Sequence, residues 1–214
     1  MIVKWNALGL SSLALVCIGL AGCGGGAPST SRSATVDTGT SAATAPSPQS
    51  AAEAPSDAQS AATGDIPDSQ AFLTFTDRAA GYSIRYPEGW TRTSAHGEVS
   101  FQNRANVIHV VVNTGSPPTP AAASAAVAQM KRVDSTVALS GAPRLLTIGG
   151  SPVIELTYTR LSKPDPVTGK QLPIVTDRYE YSHAGKTAVV DLGTAKGVDN
   201  VDAYRMISRS FRWR

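Results

Sequence analysis

From residue 72 to the carboxyl end, apolar residues fall into short runs separated by turn-forming residues, and the period of each run assigns an element. Residues 72–75 and 82–86 read as a strand pair across Arg78, Ala79, Ala80 and Gly81, with Tyr82, Ile84 and Tyr86 alternating with Ser83 and Arg85 in the second strand. Pro87 and Gly89 break that strand and drop Trp90 onto the edge of the core. Residues 98–101 and 107–112 are the next two strands, and the nearly continuous apolar run of the second predicts a strand covered on both faces. Thr119 as N-cap and Pro120 in the first turn open a helix over residues 121–137, whose apolar stripe is Ala123, Ala126, Val127, Met130, Val133 and Val137. Residues 145–148 and 153–158 make a hairpin across Gly149 and Gly150, and Pro164, Pro166 and Gly169 mark a loop. A last hairpin joins residues 175–181 to 187–192 across His183, Ala184 and Gly185. The chain then ends in a helix from Val201, capped by Asp199 or Asn200.

That final helix is amphipathic. Ala203, Ile207, Ser210 and Phe211 share one face, while Arg205, Arg209 and Arg212 form a stripe opposite. The apolar side packs inward. The arginine stripe is a candidate contact for an anionic surface, either lipid headgroups or an acidic partner, with an ordinary solvated face as the alternative.

Upstream of residue 71 the pattern is different. An apolar run over residues 7–20 follows Lys4 and ends in small residues before Cys23, which is the layout of an export signal over residues 1–22. As a helix of about 14 residues it would cover about 21 Å, short of a hydrocarbon core of about 30 Å. Residues 24–70 contain no Phe, Trp, Tyr, Leu or Met, and Val36 and Ile66 are their only larger aliphatic residues. A stretch so poor in apolar surface does not offset the entropy of ordering it. It reads as a flexible stalk over residues 23–70, about 37 Å in root-mean-square span, leaving residues 71–214 as one domain.

Charge divides at the same place. Residues 71–214 hold 17 Lys and Arg against 11 Asp and Glu, a balance of +6, while residues 24–70 hold Arg32 against five acids, a balance of −4. The domain is basic, so an anionic lipid surface or wall polymer would attract it over about 8 Å at physiological salt. Charge spread for solubility is the competing explanation, and no nucleic-acid partner is expected.

Cysteine usage narrows the location. Cys17 lies inside the leader, so the mature chain keeps Cys23 alone and has no internal disulfide. Leu20, Ala21, Gly22 and Cys23 resemble the lipobox of bacterial lipoproteins. The resemblance implies cleavage before Cys23, acylation of its thiol, and a domain tethered at the extracytoplasmic face of a bacterial membrane.

The domain also resembles a family. Phe75, Thr76 and Asp77 followed by residues 81–90 are similar to the opening motif of PsbP-like domains, as are the Gly149, Gly150, Ser151, Pro152 turn and the ending through Ser210, Phe211, Arg212 and Trp213. The resemblance implies an α+β fold in which helices sandwich an antiparallel sheet, and a habit of protein binding rather than catalysis.

Catalytic chemistry finds little support in the residues. There is no Gly-x-Ser-x-Gly elbow or Ser-x-x-Lys pair in the domain. Gly185, Lys186 and Thr187 look like the tail of a phosphate-binding loop, but Glu180 stands where the first glycine belongs and the stretch sits in a hairpin. His96, His109 and His183 lack the spacing of a metal site, and His109, inside an apolar strand, reads as a satisfied core or edge residue. Asp191 needs a partner if buried, or faces water if its strand is at an edge, and Asp177, Arg178 and Glu180 read as polar positions of an exposed strand. The expectation is a non-enzymatic, cofactor-free envelope lipoprotein that binds another protein of the cell surface. The alternative is a carrier of a lipid, glycolipid or small apolar molecule held between helices and sheet.

Overall fold

A computed structural model describes residues 64–214; the leader, Cys23 and most of the proposed stalk lie outside the described residues. The strands are β1 (Phe72–Asp77), β2 (Tyr82–Pro87), β3 (Thr91–Ala95), β4 (Glu98–Asn103), β5 (Asn106–Thr114), β6 (Ala138–Ile148), β7 (Ser151–Leu161), β8 (Pro173–His183), β9 (Lys186–Ala195) and β10 (Arg212–Trp213). Two helices accompany them, α1 (Pro120–Val133) and α2 (Val201–Ser210). Seven strands form one sheet in the order β3-β4-β5-β9-β8-β7-β6, and β1-β2-β10 form a second. Every neighbouring pair is antiparallel.

Tight turns set the register. Ala184 and Gly185 connect β8 to β9 with φ of 46° and 75°. Two consecutive positive φ values are the signature of the hairpin turn whose twist matches that of the strands. A different constraint acts inside β9, where a Cβ on Gly193 would sit 2.8 Å from Val107 Cγ1 and 3.2 Å from Thr176 Oγ1. Only a residue without a side chain lets β5 and β8 flank β9 that closely.

Strand alternation sorts the side chains into two layers. Phe101, Ile108, Val110, Val190, Leu192, Tyr179, Tyr181 and Val153 point to the inner face, where β2 supplies Tyr82 and Ile84 and α2 supplies Tyr204 and Ile207. Ile154, Leu156 and Tyr158, on the other face of β7, pack with Ala123 and Val127 of α1 and with Val137. The arrangement is therefore an antiparallel sheet with two helices, dominated by strand. One side is roofed by α1, and the opposite side by the small sheet together with α2.

Aromatic stacking locks the small sheet to the large one. Phe211, directly after α2 and 3% exposed, stacks on Tyr181 of β8 at 4.4 Å and on Tyr82 of β2 at 5.5 Å, with Trp213 edge-on at 5.3 Å. Tyr181 also donates its hydroxyl to the Ser208 carbonyl at 2.7 Å.

Several sequence expectations change here. The helix from Pro120 stops at Val133, so Val133 is 86% exposed rather than part of the stripe, while Val137 returns to the core from the turn beyond. In α2 the buried residues are Tyr204, Ile207 and Ser208; of the two cap candidates Asp199 accepts from the Val201 N–H at 3.3 Å, and Asn200 makes no side-chain cap bond. Its amide is committed elsewhere, accepting from the Ile66 N–H at 2.6 Å and donating to Asn106 Oδ1 at 3.2 Å and Thr194 Oγ1 at 3.1 Å. Asn106 Nδ2 donates to the Gly64 carbonyl at 2.6 Å. Residues 64–66, which composition placed in the stalk, are thereby fastened to the domain. β5 is buried on its inner side only, because α1 lies over the β6 and β7 end of the sheet.

Candidate functional site

Two charged constellations stand out, one on each side of the molecule. On the outer face, register places Ser100, His109, Asp191, Arg178 and Leu156 in one row across β4, β5, β9, β8 and β7. Neither of the last two hairpin strands is at an edge, so Asp191 does not face water and Asp177, Arg178 and Glu180 are not positions of an exposed strand. β8 and β9 sit in the interior of the sheet. Asp191 is 8% exposed and finds its partner on the neighbouring strand. Arg178 Nε donates to Oδ1 and Nη2 to Oδ2, both at 2.7 Å, in the bidentate geometry that a guanidinium and a carboxylate share. The Tyr158 hydroxyl donates to the same carboxylate at 3.2 Å, and the guanidinium lies 5.4 Å over the Tyr158 ring.

Burial raises the Tyr158 hydroxyl to about 12, with the Asp191 charge adding to it. Burial opposes the charge on Arg178, but the hydrogen bonds and charge of Asp191 outweigh that penalty and hold the guanidinium protonated. Glu180 is pushed above the usual carboxylate range by burial, a shift that Arg178 partly offsets. Because its folded-state pKa exceeds the unfolded one, its contribution to stability is complete below the ordinary Glu value and falls away as pH rises through the raised one. Glu180→Gln should therefore raise the unfolding temperature at pH 7, with the gain vanishing near about pH 4, as read from melts across that range.

The rim of this face is wetter. His109 Nε2 lies 3.1 Å from Glu98 Oε2, with side chains 34% and 52% exposed, so this histidine is satisfied at a half-open position and not in the core. Val107 and Val111 flank it on β5, each half-buried. His96 occupies a turn with φ of 53°, and His183 stacks on Trp213 at 6.3 Å, so the three histidines stay apart. Among the described residues no group of three or more His, Cys, Asp or Glu is placed to hold a metal ion. Lys186 of the supposed phosphate-loop remnant donates to the Ala80 carbonyl at 3.1 Å from within the β8–β9 hairpin.

On the opposite side, α2 presents Arg205 and Arg209 together, as the helical period required, while Arg212, expected on the same helix, lies beyond its end in β10 and still sits beside them. The structure adds Arg85 of β2, and with Thr74 and Met206 these line an open depression of about 600 Å³. Arg85 and α2 are joined where the Arg85 N–H donates to Ser210 Oγ at 2.9 Å, across 125 residues of sequence. That separation is why Arg85 could be read as a polar strand position but not as a neighbour of the stripe. One carboxylate lines the depression, Asp202, and it accepts from Arg205 Nη1 at 2.6 Å.

No family model and no curated protein matches the sequence. Among solved structures, the solution structure of cyanobacterial PsbP (CyanoP) from Synechocystis sp. PCC 6803 is similar, with a TM-score of 0.51 and 19% identity over 68% of this chain and 94% of that one. A structure from Bacteroides thetaiotaomicron VPI-5482 follows at TM-score 0.45, with 13% identity over 66% of this chain and 48% of that one. The Ran-binding protein Mog1p of Saccharomyces cerevisiae gives 0.47, with 9% identity over 68% and 96%. The first likeness shows a PsbP-like fold; the other two are too distant to add to it.

Proposed function

We infer that this chain is a lipid-anchored envelope protein, held at the outer side of a bacterial membrane by an acylated Cys23, whose folded part is a non-enzymatic module that binds another envelope protein. One observation carries the binding half of this reading. α1 roofs the outer face over β6 and β7, while the same face of β4 and β5 keeps Glu98, Ser100, Val107, His109 and Val111 half-buried or exposed. A broad face that mixes small apolar patches with neutral and charged polar groups suits a protein partner. The space between helices and sheet is occupied by packed side chains on both sides, which favours a protein over an enclosed apolar ligand. Support for the non-enzymatic half is that Asp191, Arg178 and Tyr158 bond one another as a structural unit.

The anchor and the face are tested separately. Cells fed labelled fatty acid should mark the chain, and Cys23→Ser should remove the mark; a labelled serine variant ends the anchor reading. After crosslinking in intact cells, Val111→Arg should lose the partner recovered with the wild-type chain while keeping its unfolding temperature. Recovery unchanged by Val111→Arg would move the partner to another surface.

A further inference from the structure

The four arginines of the α2 depression are arranged unlike charge kept for solubility. Solubility charges are dispersed and paired with opposite signs, whereas here guanidinium groups from three elements, β2 and, 120 or more residues later, α2 and β10, converge on one concavity with one carboxylate among them. Three of the four are held in place. Arg205 is fixed by Asp202, Arg212 Nη1 donates to the carbonyls of Arg209 at 2.7 Å and Phe211 at 2.6 Å, and Arg85 lies 5.7 Å over the Phe72 ring. The Arg209 guanidinium has no partner among the described residues, so its donors are available to a ligand. Holding like charges together is unfavourable without an anion to share, and groups already ordered lose little entropy when one binds.

We propose that this depression binds the phosphate of an anionic phospholipid headgroup at the surface of the membrane. Guanidinium forks from several directions match the oxygens of a phosphate better than the planar pair of a carboxylate. Val201, one helical turn before Arg205 on the same face, is 61% exposed, and Met206 lines the depression. Apolar residues beside arginines on one helix face suit the boundary between headgroups and acyl chains. The proposal rests on the membrane location inferred above, because a domain tethered by a lipid meets headgroups at high local concentration and a weak site suffices.

The test uses the mature chain from residue 23 carrying Cys23→Ser, so that its outcome does not depend on acylation. Flotation with vesicles of phosphatidylcholine and phosphatidylglycerol at 7:3 is compared with pure phosphatidylcholine. Wild type should float with the anionic vesicles alone, and Arg85→Gln with Arg209→Gln should weaken this about twenty-five-fold, taking roughly a fivefold loss per arginine near such a surface. Lys163→Gln with Lys170→Gln, which removes the same charge from the exposed β7–β8 loop, should change it less than about threefold, well under the loss expected of the arginine pair. Equal losses in the two pairs, or no flotation by wild type, overturn the proposal. So does release by 10 mM inorganic phosphate, which would make free phosphate the ligand, or tight binding of poly-glutamate by a chain that ignores the vesicles, which would make the partner an acidic protein. Circular dichroism melts of both variants should match wild type, since all four side chains are on the surface.

Discussion

Asp191→Ala should destabilise the domain by about 3–5 kcal/mol. The substitution removes a carboxylate that takes two guanidinium donors and a tyrosine hydroxyl, and leaves Arg178, its side chain 11% exposed, charged between two strands. Most of the cost comes from the orphaned cation and not from the lost attraction, since the pair gave up two shells of water to form. The distinguishing experiment is the double variant. Arg178→Met with Asp191→Leu removes both charges at similar volume and should recover most of the loss in urea titrations. If the double variant is as unstable as Asp191→Ala, the pair's geometry contributes something that apolar packing does not replace.

Phe211→Ala should cost about 3–5 kcal/mol, through a different mechanism. Its ring joins Tyr82 of the small sheet to Tyr181 of the large one and takes the edge of Trp213, so truncation opens a cavity where three elements meet. Tyr181 keeps its bond to the Ser208 carbonyl, which limits how far α2 can slide in to fill the space. The loss should appear in the unfolding midpoint together with faster hydrogen exchange in β10 and β2. Exchange unchanged in those strands would mean that the small sheet docks without this ring.

The sequence was most legible where one face of an element is buried and the other wet. β1, β2, β4, β7, β8 and β9 announce themselves by runs of large apolar residues, and the last two hairpins by their turns. β3 does not, because Thr91, Arg92, Thr93, Ser94 and Ala95 are all exposed at the sheet edge and carry no period at all. β10 is two residues long, and its pairing with Ser83 and Tyr82 is fixed by Phe211 and not by a local pattern. The part of β6 before residue 145 is not legible, because the register shifts between Ser140 and Arg144, which interrupts the alternation that marks a strand.

The charged sites divide along the same line. Arg205 and Arg209 lie within one helix, so a period of 3.6 places them on one side without knowledge of the fold, whereas Arg212 lies beyond the helix end, in β10. Arg85 joins them only through tertiary packing. Asp191 was noticed as an acid among valines, but its partner lies 13 residues away on the next strand of a long hairpin, and strand order decided that it is interior. His109 sits within an apolar run that suggests burial on both sides; which half of the sheet α1 covers decided otherwise.

The claim on which the account turns is that the half-covered outer face, around His109 and Val111 of β5, is where this domain meets another envelope protein. A photoreactive amino acid placed at position 109 in intact cells tests it directly, with position 129 on the exposed side of α1 as the comparison. The account predicts one dominant protein adduct from position 109 and none from position 129. Equal adducts from both, or none from position 109, would contradict it.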